Sequence, residues 1–168
     1  DMALEVVSSA AQSVNDPTAA VGLEASIVMY AEMAGDAGES NNSRQRVRSI
    51  ARLADPLARA DFTANATFFD VMRGRIELHP AWDDAVQATE SLVGTPLMPP
   101  ERSLRLRLQL TEVLRRSIVG DLQGARRLAA AEIGSLPNGG PGLGIWLVTL
   151  ADCERMAGDL ASAREHLV

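Results

Sequence analysis

The sequence predicts an all-α fold of helical hairpins stacked in series, and three observations predict it. The first is a repeat: Gly120–Leu128 (GDLQGARRL) is echoed by Gly158–Leu167 (GDLASAREHL), each with Gly-Asp-Leu, two variable residues, Ala-Arg and a closing Leu. A glycine can close one helix in the left-handed conformation, and the Asp after it can cap the next through orphan amides. Ala125 and Ala163, four residues after each Asp, let two helices approach closely. The second is composition: aromatic residues are 4% while Ala and Leu are abundant, which favours helix on helix over a sheet. The third is apolar spacing at helical period along most of the chain.

The 168 residues suit one domain, 1–168, with a substantial core. Met2, Val6, Val7, Ala10, Ala11 and Val14 give residues 2–14 one apolar helical face. Asp16 and Pro17 are a cap and a first helical residue, so a second helix runs over 17–34. Its Val21, Leu23, Ile27, Val28, Met29, Tyr30 and Met33 leave little polar surface, which places neighbours on most sides. Gly35-Asp36 ends it, and the polar stretch Gly38–Ser43 reads as a loop or a frayed start. A third helix over 43–54 turns Val47, Ile50, Ala51 and Leu53 inward and Arg44, Arg48 and Arg52 outward. That arginine stripe reads as a solvated face, or more sharply as an anion-binding strip.

Asp55-Pro56 punctuates the chain, and a fourth helix runs over 57–78, where Gly74 allows a close neighbour. His79-Pro80 breaks it and Pro80 opens a fifth helix over 81–93. A Pro-stiffened loop, Thr95–Pro100, leads to a sixth helix over 101–118. There Leu104, Leu106, Leu108 and Leu110 alternate with polar residues as a strand would, but good helix formers continue past them. The reading is a helix with leucines on two faces, one for the preceding hairpin and one for the next. A seventh helix spans 121–133, a Gly/Pro linker covers 136–142, an eighth helix covers 143–157 and a ninth begins at Asp159. Corners at Gly35-Asp36, His79-Pro80, Gly120-Asp121 and Gly158-Asp159 divide the chain into units longer than thirty-four residues. A lone hairpin cannot bury both faces, so the prediction is a right-handed α-α superhelix of about four stacked hairpins.

Charge and residue usage narrow the function. The formal net charge of −6 argues against direct nucleic-acid binding by this segment. All sixteen basic residues are Arg, so neither a phosphate-loop lysine nor a Schiff-base lysine is available. The single Cys153 allows no internal disulfide and reads as an inert core thiol. No apolar run reaches membrane length and no secretory signal is visible, so a cytoplasmic protein is expected. Asp1 and Val168 both read as cut ends, which predicts a fragment of a larger protein.

The two GDL corners resemble those of tetratricopeptide repeats. Leu150 and Ala151 match the signature's Leu-Gly/Ala pair, Ala163 its small residue in the second helix, and Pro137 its terminal proline. Glu112 and Val113 depart from it. The longer, degenerate pattern is similar to the repeat region of large bacterial transcriptional activators of the LuxR/maltose-regulator type and the antibiotic-regulator type. The resemblance implies a sensor or assembly platform, with ATPase and DNA-binding domains elsewhere. It also implies that the first helix of each hairpin lines a concave groove, which places Asp70, Glu77, Arg107, Leu114, Val148, Asp152 and Arg155 there. Such a mixed-charge groove suits a protein or peptide partner, other domains of the same chain among them, or a small-molecule inducer. A metabolite pocket walled by Trp146, Arg107 and Asp70 would favour sensing, whereas an open apolar strip would favour protein partners.

Catalysis is not expected, and an enzyme or an enzyme-associated scaffold is the less favoured alternative. His79 and His166 lack partners at metal spacing, and there is no His-Glu-x-x-His, nucleophile-elbow or paired-Cys pattern. No metal and no cofactor are predicted. His79 reads as a helix-ending residue and His166 as a surface residue. The pair Asp83-Asp84 is explained by the dipole at a helix start. A His–carboxylate pair converging in a cleft would reopen the question.

Overall fold

The chain turns back at four glycines with positive φ: Gly35 (75°), Gly74 (79°), Gly120 (87°) and Gly158 (84°). At each one the next residue's amide donates to the carbonyl four residues before the glycine. These bonds are Asp36 to Ala31 at 2.8 Å, and Arg75 to Asp70, Asp121 to Arg116 and Asp159 to Glu154 at 2.9 Å. They satisfy carbonyls that the helix ends leave orphaned. A methyl group on Gly120 would meet nothing within 4 Å, so only the backbone conformation resists a side chain there. Gly120→Ala is therefore expected to cost about 1–2 kcal/mol, seen as a lower urea midpoint at unchanged slope.

The computed structural model describes residues 2–77, 80–90, 99–136 and 142–167, and at 90 and 99–103 the backbone alone. Among them are α1 (Met2–Ser13), α2 (Pro17–Ala34), α3 (Ala37–Ile50), α4 (Pro56–Met72), α5 (Trp82–Glu90), α6 (Pro99–Ile118), α7 (Leu122–Ser135), α8 (Leu143–Met156) and α9 (Leu160–Glu165). A short 3-10 turn, Ala51–Leu53, follows α3, and no strand occurs among the described residues. The fold is all-α. Aspartates cap four helices in one way: Asp16, Asp36, Asp121 and Asp159 each accept from the amide three residues on. Pro17 and Pro56 stand at the starts of α2 and α4, where an absent amide costs nothing.

Packing runs from neighbour to neighbour. α2 lies against α1, α3 and α4, then α4 against α5 and α6, α6 against α7, α7 against α8, and α8 against α9. The buried apolar residues form three clusters rather than one centre. Val21, Val28, Val47, Phe62 and Ala66 join α2, α3 and α4. Ala60, Ala64, Trp82, Ala85, Leu104 and Leu108 join α4, α5 and α6. Val113, Ala125, Ala129, Trp146, Leu150 and Cys153 join α6, α7 and α8. The alternating leucines serve two faces as expected: Leu104 and Leu108 enter the second cluster, while Leu106 and Leu110 pack on the third.

Several expectations need correction. The polar stretch 38–43 is helical, because its serines bond to α2 instead of water. Ser40 Oγ donates to Glu32 at 2.6 Å and Ser43 Oγ to the Glu24 carbonyl at 3.0 Å. Leu53 is 74% exposed, because α3 stops at Ile50 and the tighter turn swings it outward. Arg44 is not a solvated member of its stripe; its guanidinium is bound to Asp70. α4 ends at Met72, and the second corner lies at Gly74 instead of His79-Pro80. Gly74 serves that turn and not a close packing contact, since a side chain there would meet open space. His166 is half-buried against Glu154, with Nε2 3.3 Å from Oε2. His79, residues 91–93 of the expected fifth helix, Thr95 and residues 137–141 of the expected linker, Pro137 among them, lie outside the described residues.

Among the described residues two buried side-chain oxygens lack a hydrogen bond, the Thr67 hydroxyl and Glu154 Oε2. Thr67 is 1% exposed and its hydroxyl has no hydrogen-bond partner. Valine keeps the branched shape and removes the unpaired group, so Thr67→Val is expected to raise stability by about 1 kcal/mol in urea unfolding.

Candidate functional site

Two grooves flank α4. The first is lined by the first helices of three successive hairpins: Ser26 and Met29 from α2, Asp61 and Asn65 from α4, and Leu106 and Arg107 from α6. Its volume is about 460 Å³. Asp61 and Asn65 are one helical turn apart on a helix whose other residues here are small or apolar, so they present one polar strip. Arg107 reaches across from α6, with Nη2 2.8 Å from Asp61 Oδ1 and Nη1 donating to Asn65 Oδ1 at 2.7 Å.

Burial pushes the Asp61 carboxyl above its usual range, and the nearby Arg107 only partly offsets this. The folded state therefore binds this proton more tightly than the unfolded chain. The penalty of the charged form is present at neutral pH and is relieved as pH falls through the raised folded value. Asp61→Asn removes that relief. In pH-dependent urea unfolding, the variant should lose stability earlier on acidification than the parent, as pH falls toward the ordinary aspartate range.

The second groove, of about 680 Å³, lies between α3, α4 and the segment after α4. Arg44, Arg48, Arg59 and Arg75 line it together with Asp70 and Glu77, over an apolar floor that includes Val47, Phe62 and Ile76. Arg44 is held in place: Nη1 donates to Asp70 Oδ2 at 2.9 Å and Nη2 to the Ala66 carbonyl at 3.1 Å. Arg75 adds a second contact to Asp70 at 3.4 Å. Behind them the Glu32 carboxylate, only 2% exposed, meets Arg73 at 2.5 Å and Arg44 at 3.7 Å.

The predicted groove residues do not gather in one place. Asp70 and Glu77 line the second groove and Arg107 the first. Leu114 is half-buried on α6. Val148 is exposed on α8, where Asp152 and Arg155 form an exposed pair at 3.2 Å. Trp146 is buried in the third cluster, so it shares no wall with Arg107 and Asp70. The sequence reading missed Asp61, Asn65, Arg59 and Arg75. The one available signal was the Asp61/Asn65 spacing on an alanine-rich helix.

At the far end of the chain, Glu154 is 4% exposed and lies between Arg126 Nη2, 3.3 Å from Oε1, and His166 Nε2. Cys153 is buried, its Sγ 3.5 Å from Ser117 Oγ. Among the described residues no three His, Cys, Asp or Glu side chains gather as a metal site, and no helix is long and apolar enough to cross a membrane. Comparison of the chain with protein-family models, curated proteins and solved structures finds no match.

Proposed function

We propose that the chain is a non-catalytic, tetratricopeptide-like interaction module, a superhelix of hairpins that serves a cytoplasmic bacterial transcriptional regulator and takes a protein or peptide partner. The supporting observation is the first groove. Among the described residues its walls come from α2, α4 and α6, the first helices of consecutive hairpins, and a series of units reads an extended partner along such a face. The resemblance of the longer, degenerate repeat pattern to the repeat region of bacterial activators supplies the regulator context. The His166–Glu154 pair is the arrangement that acid–base chemistry would need. It lies outside both grooves, and Arg126 already engages the same carboxylate, so we assign it to holding α7, α8 and α9 together.

The test blocks the groove without touching the Arg107 pairing. Ser26→Trp is introduced into the full-length gene product, folding is checked by circular dichroism, and the transcript profile of the host is compared with the parent's. A folded variant that loses the regulated transcripts supports the reading. A folded variant with an unaltered profile overturns it.

A further inference from the structure

We propose that the groove between α3 and α4 binds a small organic dianion with an apolar body. The chain carries a net charge of −6, and most of its arginines meet a carboxylate. Arg48 and Arg59 are exceptions. Among the described residues neither side chain makes a hydrogen bond or an ion pair, and both line this one groove. Two guanidinium groups without a carboxylate partner thus line one cavity, and an anion seated between them can take donors from both.

The neighbouring charges leave that demand in place. Asp70 is already neutralised by Arg44 and Arg75. Glu77 is exposed, which leaves its charge solvated. Arg44 is fixed by Asp70 and the Ala66 carbonyl, so the wall beside Arg48 is pre-organised. The floor of Val47, Phe62 and Ile76 offers contact to carbon, not to water. A volume of about 680 Å³ suits a metabolite-sized ligand. Two open guanidinium forks match either a phosphate monoester or a pair of carboxylates, each a dianion at neutral pH.

The proposal is independent of the first groove, which Ser26→Trp addresses and Arg48 and Arg59 do not line. Its test is calorimetry on the chain with four probes: phenyl phosphate, adipate, inorganic phosphate and phenol. One-site binding of phenyl phosphate or adipate, with phenol inert, is the expected result. Whichever of the two binds more tightly identifies a phosphoryl or a carboxylate ligand. Arg48→Gln and Arg59→Gln should each weaken binding about tenfold or more, with unchanged circular dichroism because both side chains are exposed. Arg52→Gln, a change at an arginine outside the groove, should leave binding as it was. Failure of both organic anions to bind overturns the proposal, and so does full binding in the Arg48/Arg59 double variant. Inorganic phosphate binding as tightly as either organic anion also overturns it, as an adventitious ion only.

Discussion

Replacing Trp146 with alanine is expected to cost about 3–5 kcal/mol and to split one unfolding transition into two. Trp146 is 2% exposed and is the largest fully buried side chain among the described residues. It shares its cluster with Ala125 and Ala129 of α7 and Val113 of α6. The small alanines beside so large a ring leave a cavity that neighbours cannot readily fill, so collapse should recover little of the loss. The cluster is also what joins α8 to the rest of the chain, since α8 otherwise packs on α7 and α9. Where cores are arranged in series, loss of one joint uncouples what lies beyond it. Trp82, 6% exposed in the second cluster, remains as a reporter of the other end. In the variant its fluorescence should change at higher urea than the helical signal of circular dichroism, whereas the two coincide in the parent. Coincident transitions in the variant would show the three clusters to be one cooperative unit.

The helix ends were readable where local chemistry fixes them. Asp16-Pro17 and Asp55-Pro56 start α2 and α4 because a carboxylate finds orphan amides and a proline needs none. Gly120 and Gly158 turn the chain because only glycine enters the left-handed region freely. The second corner escaped because Gly74 is followed by Arg75 and not by a capping Asp. His79-Pro80 is a louder breaker in sequence, yet the hydrogen bond from Arg75 to Asp70 closes the helix before it. The start of α3 escaped for a different reason. Its serines look like loop residues until Glu24 and Glu32 of α2 are brought alongside as acceptors. The grooves were least legible. Arg48 and Arg59 sit on either side of the Asp55-Pro56 break, and only the folded turn between them sets both on one cavity.

Arginine usage then takes on a structural meaning that composition alone could not supply. Each junction between consecutive hairpins is crossed by a partly buried guanidinium: Arg44 of α3 to Asp70 of α4, joined there by Arg73 to Glu32 of α2, then Arg107 of α6 to Asp61 of α4, and Arg126 of α7 to Glu154 of α8. Asp70 and Glu154 occupy the same register, four residues before the glycine of their corner. A fork of donors can engage a carboxylate and a carbonyl together, as Arg44 does with Asp70 and Ala66. A lysine could not hold that planar geometry. The absence of lysine therefore costs these junctions nothing.

The strongest test of such pairing lies within the first hairpin, at Glu24 and Arg46. Glu24 of α2 is 4% exposed. Arg46 of α3 grips its carboxylate with both arms, Nε to Oε1 at 2.6 Å and Nη2 to Oε2 at 2.9 Å, and also reaches Glu39 at 2.8 Å. The hydrogen bonds to Glu24 hold the Arg46 guanidinium charged even more firmly than usual, so no accessible pH neutralises it. Arg46→Ala leaves a buried carboxylate without its partner, and removal of one member of a buried pair costs about 3–5 kcal/mol. The Arg46 side chain is 42% exposed, so water reaches the Glu24 carboxylate from that side and the lower end, about 3 kcal/mol, is the expectation. The pair itself need not stabilise the fold by that much, because two charges gave up water to form it. Replacing both residues with leucine should therefore recover most of the loss or exceed it. Urea unfolding of Glu24→Leu, Arg46→Leu and the double leucine variant measures this coupling directly. If Arg46→Ala costs less than about 1 kcal/mol, the pair behaves as a surface bridge and Glu24 is better hydrated than its burial indicates.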